Sequence, residues 1–140
     1  MKILSFLSLV LVLLLVGSST ISTNASDNSR TNERGTVTFD QPVKLLGVEL
    51  KGEYLFVHDD AAMMRGESCT FVYKGTVEKA KNLVVSFHCI PQTRIQATHF
   101  TVRSRMTAGT NEIEEIQFAG SAKAHVVSPL PHHYVGVVGF

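Results

Sequence analysis

The sequence predicts an all-β domain, either an antiparallel β-sandwich or a small, partly closed β-barrel of about seven or eight short strands. From Gly35 onward, short apolar runs rich in Val, Ile, Phe, Tyr and Thr are separated by Gly, Pro, Asp or Asn, which is the pattern of strands and turns. No stretch has the 3.6-residue apolar period of an amphipathic helix. Several runs, such as Phe100 to Arg103, instead alternate apolar and polar residues with the two-residue period of a strand.

Eight strands are predicted from this pattern. They occupy Thr36–Phe39, Val43–Leu50, Tyr54–His58, Cys69–Lys74, Leu83–Ile90, Gln96–Ser104, Glu112–Gly120 and Ala122–Val127. Gly47 and Gly52 permit turns or bulges between or within them. Pro42 fits a strand start or an edge, because it has no amide proton for the ladder.

The first 25 residues predict a secretory signal peptide. Met1 and Lys2 give a basic start, the segment Ile3 to Val16 is apolar apart from its serines, and Thr23-Asn24-Ala25 resembles a small-x-small cleavage site. The apolar core is shorter than the roughly 20 residues of a membrane-spanning helix. We therefore expect a secreted or periplasmic protein with no transmembrane segment after cleavage.

The remaining chain divides into three parts. Residues 26–34 are polar and predict a disordered leader. Residues 35–127 form the predicted β domain, and residues 128–140 form a tail that carries Pro129, Pro131 and a His132-His133 pair. The pattern assigns no structure to this tail.

The charge of the chain argues against nucleic acid as a partner. Cleavage after Ala25 would remove one of the 13 basic residues and none of the 12 acidic ones, so the formal net charge of the mature chain is zero. A neutral chain with interspersed signs lacks the basic face that nucleic acid or an anionic membrane selects.

The two cysteines predict a disulfide bond. If Cys69–Lys74 and Leu83–Ile90 form a hairpin, pairing Cys69 with Cys89 also places Phe71 opposite Phe87, with all four side chains on one face. Opposed Cα atoms in such a ladder lie within disulfide range, and export exposes the thiols to an oxidising compartment. A redox-active pair is the alternative, but active dithiols usually occur as Cys-x-x-Cys at a helix start.

Histidines offer a second possibility, a metal site. His58, His88, His99 and His125, together with Cys89, could supply nitrogen and sulfur ligands to zinc or copper. The leading candidates are His58, His88 and His99, although their spacing matches no standard metal motif. Isolated strand histidines are also common as half-buried hydrogen-bonding residues, and the sequence implies no specific cofactor.

Other polar residues give no catalytic pattern. No Gly-x-Ser-x-Gly motif and no glycine-rich phosphate loop is present in the sequence. Asp59 and Asp60 predict a charged turn, since the following Ala61 to Met64 offers no calcium-ligating side chain. The acidic residues near position 115 and the arginines at 94, 103 and 105 are expected on solvated faces.

The segment from Thr36 to Phe56 resembles the opening of small exported bacterial proteins of uncharacterised function. The shared features are a Val-x-Phe strand, a Pro-Val-x-Leu segment from Pro42, two glycine turns and a Tyr-x-Phe strand from Tyr54. The resemblance implies an all-β domain in the bacterial envelope or outside it, and it implies no activity.

Together these features predict an exported, non-catalytic β domain that acts as a binding or envelope-associated module for a protein or a small-molecule ligand. The alternative is a metal-binding or enzymatic β-barrel that uses its histidines. The sequence predicts no oligomeric state.

Overall fold

The computed structural model describes residues 32–127, which form one eight-stranded β-sheet curled into a half-barrel. The predicted all-β class is confirmed, with one curled sheet in place of two stacked ones. The predicted signal peptide (1–25), the leader up to residue 31 and the tail (128–140) lie outside the described residues. None of the helices in the described range has the length and apolar character needed to cross a membrane.

The strands follow one another with short connections. Their bounds are β1 (Asn32–Leu45), β2 (Val48–Asp59), β3 (Thr70–Lys74), β4 (Leu83–Phe87), β5 (Cys89–Thr93), β6 (Thr101–Thr107), β7 (Thr110–Gln117) and β8 (Lys123–Val127). A short helix, α1 (Asp60–Met64), follows β2, and one 3-10 turn (Ala80–Asn82) precedes β4. Strand β1 begins at Asn32, so the last three residues of the predicted leader belong to the sheet.

Three predicted strands are interrupted or begin later than expected. The predicted strand Val43–Leu50 is interrupted by a turn at Leu46 and Gly47, whose φ angles of 50° and 83° suit a two-residue hairpin turn. The predicted strand Gln96–Ser104 begins only at Thr101. The predicted strand Leu83–Ile90 is broken at His88, where β4 ends and β5 begins.

The predicted charged turn after β2 is the start of α1. Asp59 is its N-cap, and the side chain accepts hydrogen bonds from the backbone amides of Ala61 and Ala62 at 2.9 and 3.1 Å. Such a cap satisfies amides that have no partner inside the helix. The helix therefore reverses the chain immediately after β2.

The order of strands brings the two ends of the sheet together. Along the hydrogen-bonded path the order is β4-β3-β2-β1-β7-β8-β5, and β6 pairs with β7 beside this path. The end strands β4 and β5 are consecutive in the chain, with His88 alone between them. Two peptide units span at most about 7.6 Å between Cα atoms. The ends of the curled sheet therefore meet at His88.

The register between β3 and β4 differs by one residue from the prediction. Phe87 lies opposite Thr70 and not opposite Phe71, which pairs with Ser86. Because side chains alternate between faces, this shift places Phe71 and Phe87 on opposite faces of the sheet. Phe71 instead packs on a small outer cluster with Leu55, and Phe87 belongs to the main core.

The main core lies on one face of the curled sheet and draws on both halves of the chain. Its large, fully buried side chains are Phe56, Phe87, Phe118, Leu45, Leu50, Ile116, Val72 and Val85. Burial of each contributes roughly 1.5–3 kcal/mol relative to exposure. This core holds the strand ends around His88 in place.

Glu115 is buried, although the sequence analysis placed it on a solvated face. It is 5% exposed, and Arg94 and Arg103 bind its carboxylate at 2.7 and 3.0 Å. A buried carboxylate needs such charged partners. Arg103 is exposed, as predicted, and Arg94 is half-buried, and the two side chains together cover the carboxylate of Glu115.

Gly35 lies directly beneath the ring of Phe100. A Cβ atom at Gly35 would lie 2.3 Å from ring atoms of Phe100, a distance that no packed pair adopts. Phe100 stacks at the same time on Phe56 and Phe118, with ring centroids 5.4 and 5.1 Å apart. The absence of a side chain at Gly35 is thus what lets this aromatic cluster close over β1.

Substitution Gly35→Ala is expected to destabilise the chain by about 1–3 kcal/mol, because the added methyl overpacks the site. Urea unfolding measures the change. In a Phe100→Ala background the same substitution should cost much less, since its clash partner is gone. A neutral or stabilising effect of Gly35→Ala in the wild-type background would contradict the close contact.

Substitution Ala108→Asn is expected to stabilise the chain by a few tenths to about 1 kcal/mol, since asparagine tolerates the left-handed region better than alanine. Ala108 is exposed in the turn between β6 and β7, at φ 47°. Ala122, also exposed but without a positive φ, provides the matched control. Equal unfolding midpoints for Ala108→Asn and Ala122→Asn would argue against strain in this turn.

Candidate functional site

Four buried side chains meet at the corner where the ends of the sheet join. His58 lies near the end of β2, Cys69 immediately precedes β3, Cys89 begins β5 and His125 lies in β8. All four have 0% exposed surface. We call this group the corner cluster. Buried polar groups are costly without hydrogen-bond partners. The hydrogen bonds among these four side chains and their neighbours therefore determine which atoms carry protons and which can bind a ligand.

The break at His88 keeps both flanking side chains directed inward. Phe87 and Cys89 are both buried, and His88 between them is half-buried. The two-residue alternation of a strand therefore continues across the break. The amide of Cys69 donates to the carbonyl of Phe87 at 3.0 Å, and this bond holds the start of β3 against the same corner.

The predicted disulfide between Cys69 and Cys89 is absent. The two sulfurs are 3.6 Å apart and both residues are free thiols, whereas a disulfide bond is about 2.05 Å long. The two cysteines are next to each other, as predicted, but the predicted register between β3 and β4 is wrong. They meet because Cys69 stands at the entry of β3 and Cys89 at the corner.

The two thiols differ in their electrostatics. A hydrogen bond from Cys89 lowers the pKa of the Cys69 thiol, and a hydrogen bond and charge from His58 add to the effect against the opposing influence of burial. The same bond between the sulfurs, with burial, raises the pKa of Cys89. Cys69 is therefore the sulfur that ionises first.

The rings of the two histidines of the cluster are in close contact, with centroids 3.9 Å apart and planes tilted by 44°. His58 places Nε2 at 3.2 Å from the carboxylate of Asp60, and His125 places Nε2 at 3.1 Å from Glu33. A carboxylate only accepts hydrogen bonds, so each Nε2 carries a proton. In a neutral imidazole this leaves the lone pair of Nδ1 directed at the cluster.

Both Nδ1 atoms lie near sulfur. His125 Nδ1 is 3.3 Å from the sulfur of Cys89, and His58 Nδ1 is 3.8 Å from the same sulfur. The buried hydroxyl of Thr70 lies 3.1 Å from His58 Nδ1 and 3.5 Å from Cys89. The corner cluster thus turns two thiols and two imidazole lone pairs toward one another.

The carboxylates that orient the histidines are ionised. Burial raises the pKa of Asp60, but the hydrogen bond and charge of Lys123, at 2.6 Å, and those of His58 outweigh it and lower the pKa overall. For Glu33 the hydrogen bonds of His125 and Ser121 likewise outweigh burial. Both acids are therefore permanent acceptors at neutral pH.

Of the three leading histidine candidates, the structure places one in the cluster. His58 is a member. His88 is half-buried at the edge of the cluster, and its Nδ1 lies 3.0 Å from the carbonyl of Glu67 and 3.8 Å from the sulfur of Cys69. His99 is exposed and bonds to Thr98. His125 was not among the three leading candidates from the sequence. It is nevertheless the second histidine of the cluster, which His99 does not join.

Cys89 is part of a chain of contacts like that of a nucleophilic cysteine site. In such a site the thiol contacts a base, and an acid orients the base. Here these are Cys89, His125 and Glu33, at 3.3 and 3.1 Å. A nucleophile has to meet its substrate, but Cys89 has no exposed surface. The arrangement is therefore closed to a substrate.

Two surface clefts of the described residues are not lined by the cluster. Within residues 32–127, one cleft of about 400 Å³ runs from Leu46 to Arg105 and Val127, and another of about 650 Å³ runs from Pro91 to Lys123. Neither is lined by a cysteine or a histidine. Chemistry that uses the corner cluster has to involve a ligand small enough to be enclosed in the core.

A metal ion meets this requirement. One nitrogen of His58 and the sulfurs of Cys69 and Cys89 lie within 4.8 Å of one another. A second group, formed by Glu33, His58 and His125, meets the same distance criterion. Thiolate and imidazole are the preferred ligands of zinc and of copper(I), whereas calcium and magnesium prefer oxygen.

Comparison of the chain with protein-family models, curated proteins and solved structures found no match. The resemblance of residues 36–56 to small exported bacterial proteins therefore stays a prediction, and the chemistry of the corner cluster has to be argued from its own geometry.

Proposed function

We propose that this chain is an exported, non-catalytic β domain that binds one thiophilic transition-metal ion through Cys69, Cys89 and His58. The observation that carries the proposal is the convergence of two sulfurs and one imidazole nitrogen within 4.8 Å, on three residues with no exposed surface. Thiolate and imidazole are the ligand types that such an ion prefers.

The separations support a tetrahedral centre. With metal–sulfur and metal–nitrogen bonds of about 2.3 and 2.0 Å, tetrahedral ligands lie about 3.8 Å apart for two sulfurs and about 3.5 Å apart for a sulfur and a nitrogen. The sulfurs of Cys69 and Cys89 are 3.6 Å apart, and the pair formed by Cys89 and His58 Nδ1 is 3.8 Å apart. These two separations are within a few tenths of an ångström of the tetrahedral values, and the third, between Cys69 and His58, is within 4.8 Å.

The surroundings of His58 support the same role. Ligating histidines usually donate the other ring nitrogen to a carboxylate, which fixes the tautomer. Asp60 provides this carboxylate, and Lys123 holds Asp60 in turn. Thr70 can donate its hydroxyl to Cys89 once His58 Nδ1 binds metal, because the hydroxyl lies within 3.5 Å of that sulfur.

Export of the chain is part of the proposal and is supported by the basic, apolar and small-residue order of residues 1–25. Two adjacent thiols in an oxidising compartment are exposed to oxidation. Coordination would keep Cys69 and Cys89 as thiolates, so a metal ion would account for their unbonded state. The closed position of Cys89 supports a binding role over a catalytic one.

Reduced, tag-free protein is expected to retain a single Zn²⁺ ion per chain after gel filtration, measured by elemental analysis. Cys69→Ser, Cys89→Ser and His58→Gln should each weaken binding by at least about tenfold, because each removes a direct ligand. His99→Gln, which changes an exposed histidine outside the cluster, is the matched control and should bind as the wild type does.

A second measurement does not depend on the folding of variants. In the wild-type protein, bound Zn²⁺ should slow alkylation of both thiols, and a chelator should restore the faster rate. Retention of less than about a tenth of an equivalent by fully reduced protein, with alkylation unaffected by Zn²⁺ or Cu⁺, would overturn the proposed function.

A further inference from the structure

We infer that His125 is the fourth ligand of this site. The site is then a four-coordinate Zn²⁺ centre with no open position, and its single ion connects the two ends of the curled sheet. This inference rests on the proposed function, but it concerns a residue and a role that the three-ligand proposal leaves open. Four protein ligands with no open position are typical of structural zinc sites.

The tautomer of His125 suits a ligand. Its Nε2 faces the carboxylate of Glu33 at 3.1 Å, so the proton is on Nε2 and the Nδ1 lone pair points to the sulfur of Cys89 at 3.3 Å. His58 has the same arrangement with Asp60. Both rings are therefore in the same tautomer, with Nε2 protonated and hydrogen-bonded to a carboxylate.

His88 is the competing residue, and its hydrogen bond argues against it. Its Nδ1 is 3.8 Å from the sulfur of Cys69 but only 3.0 Å from the carbonyl oxygen of Glu67. A carbonyl only accepts hydrogen bonds, so Nδ1 of His88 carries the proton and has no lone pair for a metal. His88 is also half-buried, whereas the other four side chains are fully buried.

The four ligands come from two different flanks of the sheet. His58 and Cys69 belong to β2 and to the entry of β3, and Cys89 and His125 belong to β5 and β8. In the strand order, β3 and β5 lie near opposite ends. Within the described residues no strand ladder joins these two flanks at the corner. One ion with two ligands on each flank would therefore bridge the junction.

The ligand assignment is tested with Co²⁺, which reports four-coordinate thiolate sites by intense visible absorption. Wild-type protein should show this spectrum. His125→Gln should lose it or weaken metal affinity by at least about tenfold, as expected for loss of a ligand. His88→Gln, the matched control, should retain both spectrum and affinity. A loss on His88→Gln with His125→Gln unaffected would overturn the inference and leave the proposed function standing.

A measurement on wild-type protein covers the case in which His125→Gln fails to fold. In nitrogen-15 spectra of the imidazoles, Zn²⁺ should shift Nδ1 of His58 and His125 but not that of His88. An unchanged Nδ1 of His125 in zinc-bound protein would overturn the inference. Failure of reduced wild-type protein to bind any metal would overturn the proposed function together with it.

The bridging role has its own readout in amide hydrogen exchange. Zn²⁺ should slow exchange in β5 and β8 by more than about tenfold, because opening of that flank would require loss of the ion. Strand β6 and the following turn up to Thr110 contain no member of the cluster and serve as the internal control. Metal binding without added protection of β5 and β8 would refute the bridge.

Discussion

The burial of two imidazole rings and two thiols in one corner is the constraint on which the surrounding structure depends. None of the four side chains has contact with solvent, so every polar atom needs a partner inside the protein. Glu33 and Asp60 supply partners for the rings, and Lys123 supplies one for Asp60. The start of β1, helix α1 and strand β8 are thereby fixed around the corner, and within residues 32–127 no buried side-chain nitrogen or oxygen lacks a partner.

The strands were largely predictable from the sequence, whereas their register was not. Alternation and turn residues locate a strand, but a slip of one residue between two alternating strands leaves both patterns intact and exchanges their faces. Phe71 shows this, since it is as apolar as Phe87 yet lies on the opposite face. The break at His88 has no signal either, because no Gly or Pro marks it and the inward-outward alternation continues from Phe87 to Cys89. Glu115 was placed in solvent because its two arginine partners are distant in sequence.

The candidate site was only partly predictable, because some of its contacts join residues that are distant in sequence. The adjacency of Cys69 and Cys89 and the place of His58 among possible ligands could be derived from residue types. The role of His125 depends on Glu33, which is 92 residues away and which the composition of its neighbours placed in a leader. Such a pair becomes apparent only when β1 and β8 are brought to the same corner. His99 was a leading candidate from the sequence, ahead of His125, and lies on the surface.

The position of His125 in β8 makes closure of the corner depend on the last strand of the described residues. Strand β8 is the last described strand, and the corner cannot close until it has docked against β5 and β7. Contacts between such distant segments form slowly, because a long loop has to be ordered first. Strand β8 carries His125 and pairs with Cys89 through Val127, so the corner is incomplete without it. The shielding of both thiols from reactive species is therefore a property of the complete sheet and not of the hairpin that contains them.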